Sequence, residues 1–338
     1  MKTLRLIFRR LLQTGLFGLL FLLVLEWAYR QQWMDFYTNE FHFLNPVEVR
    51  EGNPNQPTLM VFGDSFTANP HNYSRALAPA LPGWRIINHG VPGIGARQMQ
   101  HIAQNRLPDS RVDAVVVQLY VGNDLLDQCP PVDWARQNWL RNGYHLASRY
   151  FQVVPFLNYR MGQWKNTLNP DSTIQNYFSA EDQFAVERYN PRIRRMLREH
   201  PNYLQESIAL TEQAKAIHRE MCEDLSTWMA PLPDSVPVLV VVIPHAIQVQ
   251  SRYQQNFEQL GAVWEGNTNT QLLEYPFIEA TKRFFEAKKQ IRVVNPLNQF
   301  QQNDTFGHPL YLPNDPHLSP LGQELLAKII LNAWEEIP

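Results

Sequence analysis

The chain has 338 residues, 44% of them hydrophobic and 18% charged, with a formal net charge of −2. That length exceeds a minimal domain and fits one enlarged α/β domain, and the near-neutral charge gives no pull toward polyanions. No nucleic-acid module, Cys/His metal cluster or Gly-rich phosphate loop ending in Gly-Lys-Ser/Thr can be read in it, so no nucleic-acid partner, metal or nucleotide cofactor is expected.

The first predicted element is a membrane segment. Lys2, Arg5, Arg9 and Arg10 precede an apolar stretch from Leu11 to Ala28 that is broken only by Gln13, Thr14 and Glu26. The stretch is short for a span, so a cleaved signal peptide is the alternative. Glu26-Trp27-Ala28-Tyr29-Arg30 offers no small-x-small cleavage site, and Trp27 and Tyr29 suit an interfacial aromatic belt. A buried helix of a soluble protein fits less well, because apolar residues surround the whole helix. An uncleaved signal anchor is therefore expected over residues 1–30. The basic residues before it leave the N-terminus cytoplasmic and the rest extracytoplasmic, in a bacterium periplasmic.

Residues 31–57 read as a linker, rich in Asn and Pro from Asn45 to Pro57, and residues 58–338 as a catalytic domain. Apolar runs at Thr58 to Phe62, Trp84 to Ile87, Ala114 to Leu119, Val238 to Ile243 and Ile291 to Val294 predict five strands. Helical patterns at Arg75 to Ala80, Ala96 to Gln104, Asn202 to Met229 (with two breaks) and Pro320 to Glu336 separate or follow them. Alternation of this kind predicts a parallel sheet with helices on both faces. Between the third strand and the long helix, residues 125–201 are rich in Trp, Tyr, Phe and Arg without strand alternation, which predicts a helical insertion or cap. Its aromatics suit either a sugar-stacking surface or a small core of their own.

Four patches carry chemistry: Gly63-Asp64-Ser65, Asn88-His89-Gly90-Val91-Pro92-Gly93, Gly122-Asn123-Asp124 and Asp315-Pro316-His317. The first three each follow a predicted strand, at the edge where open α/β sheets place their sites. A serine hydroxyl needs a base to take its proton, and the base needs a third group to hold its tautomer. Ser65, His317 and Asp315 supply these types, provided the Asp315 carboxylate curls under the imidazole one residue away. Acyl transfer also places negative charge on the former carbonyl oxygen, and Gly93 and Asn123 are the candidate donors for it. Taken singly, each patch also reads as a turn or a helix cap.

With these blocks in this order, the chain resembles the SGNH or GDSL hydrolases from about Thr58 to its C-terminus, with residues 125–201 the weakest part. The resemblance implies a flavodoxin-like three-layer fold, Ser65 as nucleophile, His317 as base and an oxyanion hole built from the Ser65 and Gly93 N–H groups and the Asn123 amide. Phe66 replaces the Leu of the GDSL name, and the usual Asp-x-x-His is shortened to Asp315-x-His317, with Asn314 in the usual Asp position. The shorter spacing resembles extracytoplasmic polysaccharide O-acetyltransferases of the alginate type.

Of the remaining polar residues, His245 follows the fourth strand on the same sheet edge and reads as a substrate contact or a plain loop histidine. Arg97, just past the glycine turn, reads as a site for an anionic group or as a solvated helix arginine. Asp124 is expected to brace its own turn. Cys129 and Cys222 lie outside the reducing cytoplasm on this reading, and a disulfide and two separate buried thiols both fit. The expected function is that of an anchored extracytoplasmic serine esterase or O-acyltransferase working through an acyl-serine, on O-acetyl groups of a cell-surface or secreted polysaccharide. Its expected partners are an acetylated glycan, or an acyl donor with a glycan acceptor, together with envelope polysaccharide machinery. A lipid or thioester esterase, and a non-catalytic carbohydrate-binding component of an envelope assembly, are the alternatives.

Overall fold

The computed structural model describes residues 2–37, 55–68, 71–108, 111–168, 183–264 and 275–335. Most of the expected linker, residues 38–54, and part of the insertion, residues 169–182, lie outside them. In chain order the first elements are α1 (Lys2–Arg30), β1 (Thr58–Phe62), α2 (Ser65–Ala68), α3 (Tyr73–Ala80), β2 (Arg85–Asn88), α4 (Ala96–Arg106) and β3 (Ala114–Tyr120). The insertion then contributes α5 (Asp124–Gln128), α6 (Trp139–Tyr150), α7 (Val153–Leu168) and α8 (Pro191–Glu199). There follow α9 (Tyr203–Ala209), α10 (Glu212–Met229), β4 (Val238–Ile243), α11 (Ala246–Val249), α12 (Ser251–Gln259), α13 (Pro276–Phe285), β5 (Ile291–Val294), α14 (Leu297–Asn303) and α15 (Pro320–Glu335).

The five strands form one sheet in the order β2-β1-β3-β4-β5, with every neighbouring pair parallel. β1, β3 and β4 are buried along their whole length, which explains their largely apolar runs: strands covered on both faces have no polar side to alternate with. Each Val, Leu or Ile so buried contributes about 1.5–3 kcal/mol relative to leaving it in water. α4 packs against α10, and α15 packs against α3. The chain leaves β1 for β2 on one side and then crosses to β3 on the other. Between β1 and β3 the carboxyl ends diverge, and this topological switch point is where open α/β sheets bind ligands.

The stretch 202–229, expected as a helix with two breaks, is two helices with one break between them. Leu210 adopts a left-handed conformation (φ 47°) that ends α9, and the Thr211 side chain caps α10. Chain just beyond α1 does not leave the domain at once. Tyr29 stacks on His101 with ring centroids 3.8 Å apart, Phe36 is buried, and the Tyr37 hydroxyl donates to the Gly90 carbonyl at 2.9 Å. Residues 31–37, the start of the segment expected to link, are thus docked onto α4 and the turn after β2.

Candidate active site

Ser65 follows β1 through the sharp Gly63-Asp64 turn and opens α2. Asp64 holds that turn: its Oδ1 accepts the Phe66 N–H at 3.0 Å, and its carbonyl accepts those of Thr67 and Ala68. Gln118, a lone amide inside the apolar β3, accepts from the Asp64 N–H (3.1 Å) and the Thr67 hydroxyl (3.0 Å). Asn88 ties the next turn to this one by donating to the Thr67 carbonyl and accepting the Gly90 N–H, each at 2.8 Å. Gly90 must be glycine here, because a Cβ would sit 2.6 Å from the Ala68 nitrogen.

His317 comes from a loop pinched by a bridge between Tyr311 and Leu318 and by the Leu312 N–H donating to the His317 carbonyl at 2.9 Å. The pinch curls Asp315 under the ring, where Oδ1 meets both the His317 backbone N–H (3.0 Å) and Nδ1. A carboxylate on Nδ1 holds the proton there, so Nε2 is the acceptor for the Ser65 hydroxyl 2.7 Å away. Burial alone would discourage charge on the imidazole, but Asp315 overrides it and the His317 pKa lies above the ordinary histidine value. Burial likewise opposes charge on Asp315, yet His317 and its hydrogen bonds hold that carboxyl below the usual range. Ser65, His317 and Asp315 are therefore brought together as one linked set, with Ser65 and His317 half-buried at its open end.

Gly93 has φ +72°, a conformation L side chains rarely adopt. Among the described residues, no acceptor is found for the backbone N–H of Ser65 or of Gly93. Two unclaimed donors, one of them the nucleophile's own N–H, suit a developing oxyanion. Asn123, at the start of α5, is placed differently from the expectation. Its Nδ2 faces Asp64 Oδ2 at 3.2 Å and Asp127 Oδ2 at 2.7 Å, so both amide hydrogens have carboxylate partners. Burial pushes the Asp127 carboxyl up to about 6, against the pull of Arg192. Asp124 braces its turn by accepting the Tyr120 N–H at 2.8 Å, and burial together with Asp64 raises its carboxyl well above the normal range.

Two readings need correction, and one left open is decided. His245 touches no open surface: it is 1% exposed, its Nδ1 caps α11 through the Ile247 N–H at 3.3 Å, and its ring packs on Tyr120 and Phe257. Burial lowers its pKa to about 3, so it is a neutral core histidine rather than a substrate contact. Arg97 is spent on its own chain, paired with Glu220 and with Asp224 at 3.4 Å, and is not available to a substrate anion. Cys129 and Cys222 form no disulfide. Phe66 is buried against Tyr120 and His317, as an inward substitute for Leu should be.

Sequence reasoning missed what the insertion brings. Asn190, the residue before α8, donates from Nδ2 to Asp315 Oδ2 at 2.8 Å and caps α8 by accepting the Arg192 N–H at 2.9 Å. Asn314 ties the same strap down, accepting the Ala185 N–H (2.8 Å) and donating to the Gln183 carbonyl (3.0 Å). The Arg192 guanidinium lies over Gly93, 3.3 Å from where a Cβ would be, and 3.6 Å from Asp127. Nothing local marks Asn190 or Arg192 as site residues. Gln118 did carry a signal, a single amide within an otherwise apolar strand. Among the described residues no group of His, Cys, Asp and Glu side chains is arranged to hold a metal ion.

No family model matches the chain, and no curated protein matches it. Among solved structures it is similar to LAE5, an α/β hydrolase from the metagenome of Lake Arreo, Spain, at 12% identity and TM-score 0.41, covering 85% of this chain and 100% of that one. A lipase/acylhydrolase from Enterococcus faecalis aligns at 12% identity and TM-score 0.39, covering 82% and 94%. A variant of an acetyl xylan esterase from Geobacillus stearothermophilus aligns at 14% identity and TM-score 0.38, covering 82% and 93%. At these values the likeness transfers neither an activity nor a residue role to this chain.

Proposed function

We propose that this chain is an SGNH-type serine esterase or O-acyltransferase, held at a membrane by α1, with its catalytic domain outside the cytoplasm. The observation that carries this reading is the linked set Ser65 Oγ, His317 Nε2 at 2.7 Å, and Asp315 on Nδ1. Ser65 Oγ attacks the ester carbonyl as its proton passes to Nε2, and the imidazolium so formed is stabilised by Asp315. The oxyanion takes the Ser65 and Gly93 N–H groups. Asn123 joins them by giving up the longer of its two bonds, the one to Asp64. Collapse expels the alcohol, which leaves with the proton from Nε2. Water or a sugar hydroxyl then attacks the acyl-serine by the same steps in reverse.

The preferred substrate is an O-acetyl ester on an extracytoplasmic polysaccharide. A short acyl group is favoured by Arg192, which closes the space over Gly93. Anchoring is supported by the one described helix long and apolar enough to cross a membrane, Arg5–Arg30. The test is labelling of the full-length protein by a fluorophosphonate probe. Labelling is expected for the native chain and absent in Ser65→Ala at unchanged melting temperature, and labelling that persists in that variant removes Ser65 as the nucleophile.

A further inference from the structure

α6 is built inside out. A surface helix normally turns its apolar stripe to the core, but here the buried residues are Asn142, His145 and Ser148. Each is satisfied by a carbonyl: Asn142 donates to those of Asp133 (3.1 Å) and Gln137 (3.2 Å), His145 Nδ1 to that of Pro131 (2.7 Å), and Ser148 to that of Tyr144 (2.8 Å). The orientation is therefore set by the carbonyls of residues 131–137 that Asn142 and His145 meet. What it turns outward is Trp139 (73% exposed), Leu140 (64%), Leu146 (42%) and Tyr150 (68%). With Gly143 these make one continuous apolar stripe at helical spacing, the kind of exposed patch that marks an interaction surface.

The position of the stripe says what covers it. α6 runs directly into α7, and α7 packs on α1: the Val153 N–H donates to Glu26 Oε2 at 2.9 Å, and Phe156 lies 5.5 Å from Tyr29. A cavity of about 420 Å³ is lined by Tyr29 and Arg30 of α1 and by Arg149 and Tyr150 of α6, so the end of α6 stands beside the last turn of α1. The stretch Leu11–Ala28 is about 27 Å long as a helix, close to the ~30 Å of a bilayer's hydrocarbon. Yet the domain already packs against Leu22 and Leu25 within it. The rim of the domain next to α1 thus lies at the depth where lipid begins. At the same level the exposed Trp27 and Trp33 meet edge to face at 4.7 Å, the placement of an interfacial aromatic belt.

We propose that α6 lies in the outer interface of the bilayer that α1 crosses, with Trp139, Leu140, Leu146 and Tyr150 inserted among the lipids. The inference rests on the reading of α1 as an anchor and goes beyond it: the domain is not tethered above the membrane but seated on it through the insertion.

Single cysteines at Leu140, Leu146, Leu16 and Phe306 in a Cys129→Ser full-length chain, with the fully buried Cys222 retained, would carry nitroxide labels in phosphatidylcholine/phosphatidylglycerol nanodiscs. Leu16 reports the span itself, and Phe306, 93% exposed in a loop, is the aqueous reference. The ratio of oxygen to nickel-complex accessibility is expected to be several-fold higher at Leu140 and Leu146 than at Phe306, and to approach that at Leu16. If Leu16 reads lipid while Leu140 and Leu146 read water, seating on the membrane is refuted and the anchor stands. A Leu16 label that reads water overturns the anchor and the proposal together. Labels at Leu140 and Leu146 sealed from both reagents mean that a protein covers the stripe, which also overturns it.

Discussion

Asp315→Asn is a sharper probe of the site than removal of the side chain, because the hydrogen bonds around Asp315 have fixed directions. Oδ1 accepts from the His317 backbone N–H and Nδ1, and Oδ2 accepts from Asn190 Nδ2 at 2.8 Å. A carboxylate accepts on both sides, whereas an amide accepts on one and donates on the other. With its oxygen toward His317, the new amide sets its NH₂ against that of Asn190. Turning Asn190 over relieves the clash but takes the cap from the Arg192 N–H. The first outcome leaves a part-buried polar group unpaired, at a cost of about 1–3 kcal/mol, and the second strips the cap from an exposed N–H, at about 0.5–2 kcal/mol, so either lowers stability. Loss of a charged acceptor for the imidazolium removes about 1.5–3 kcal/mol more from the transition state, which at 1.36 kcal/mol per decade lowers kcat/KM by about 10- to 10²-fold. Adding Asn190→Asp restores an acceptor for the new amide and keeps the cap, since Asp and Asn cap equally well. The double variant should therefore recover the melting temperature and part of the rate. Hydrolysis of p-nitrophenyl acetate and thermal denaturation by circular dichroism read the two effects separately. A single variant with the native rate would refute the role given to Asp315, and a double variant no more stable than the single would refute the coupling through Asn190.

Three other outcomes follow from the site. Asn123→Ala should lower kcat by roughly 10²- to 10³-fold if the amide reaches the oxyanion, and an unchanged kcat would leave it only its bonds to Asp64 and Asp127. Since His317 must be neutral to accept the serine proton and its pKa is raised, kcat/KM should climb with pH through an apparent pKa above about 6.5 to an alkaline plateau; a profile already flat at pH 6 contradicts the pairing with Asp315. Gly93→Ala forces a Cβ into φ +72°, at about 1–2 kcal/mol, and should lower both the melting temperature and kcat. Native values for both would show that this turn has no such constraint.

All five strands, the helices expected at Arg75 to Ala80, Ala96 to Gln104 and Pro320 to Glu336 and the apolar N-terminal segment were legible in the sequence, because each is set by local patterning. A strand covered on both faces has to be an apolar run, as β4 is, and a helix start carries its own caps and turns. The strand boundaries fell within about a residue for this reason. The break at Leu210 was less legible, since a leucine in a left-handed conformation is held by packing and no local preference announces it.

What the sequence by itself determined, then, was the set of strands and the ordered patches of reactive residue types at their carboxyl ends. Tertiary structure alone decided which of those side chains meet. Ser65 and His317 are 252 residues apart in the chain and 2.7 Å apart in space. Asn190 arrives from an insertion with no motif, and Arg97 and His245, correctly placed along the chain, are turned to an ion pair and a helix cap. Patterning reports how a residue's neighbours repeat, whereas the direction of a polar side chain follows from which partner burial offers it. For α6 that choice put the polar face inward, a result that only the carbonyls lining its bed could dictate.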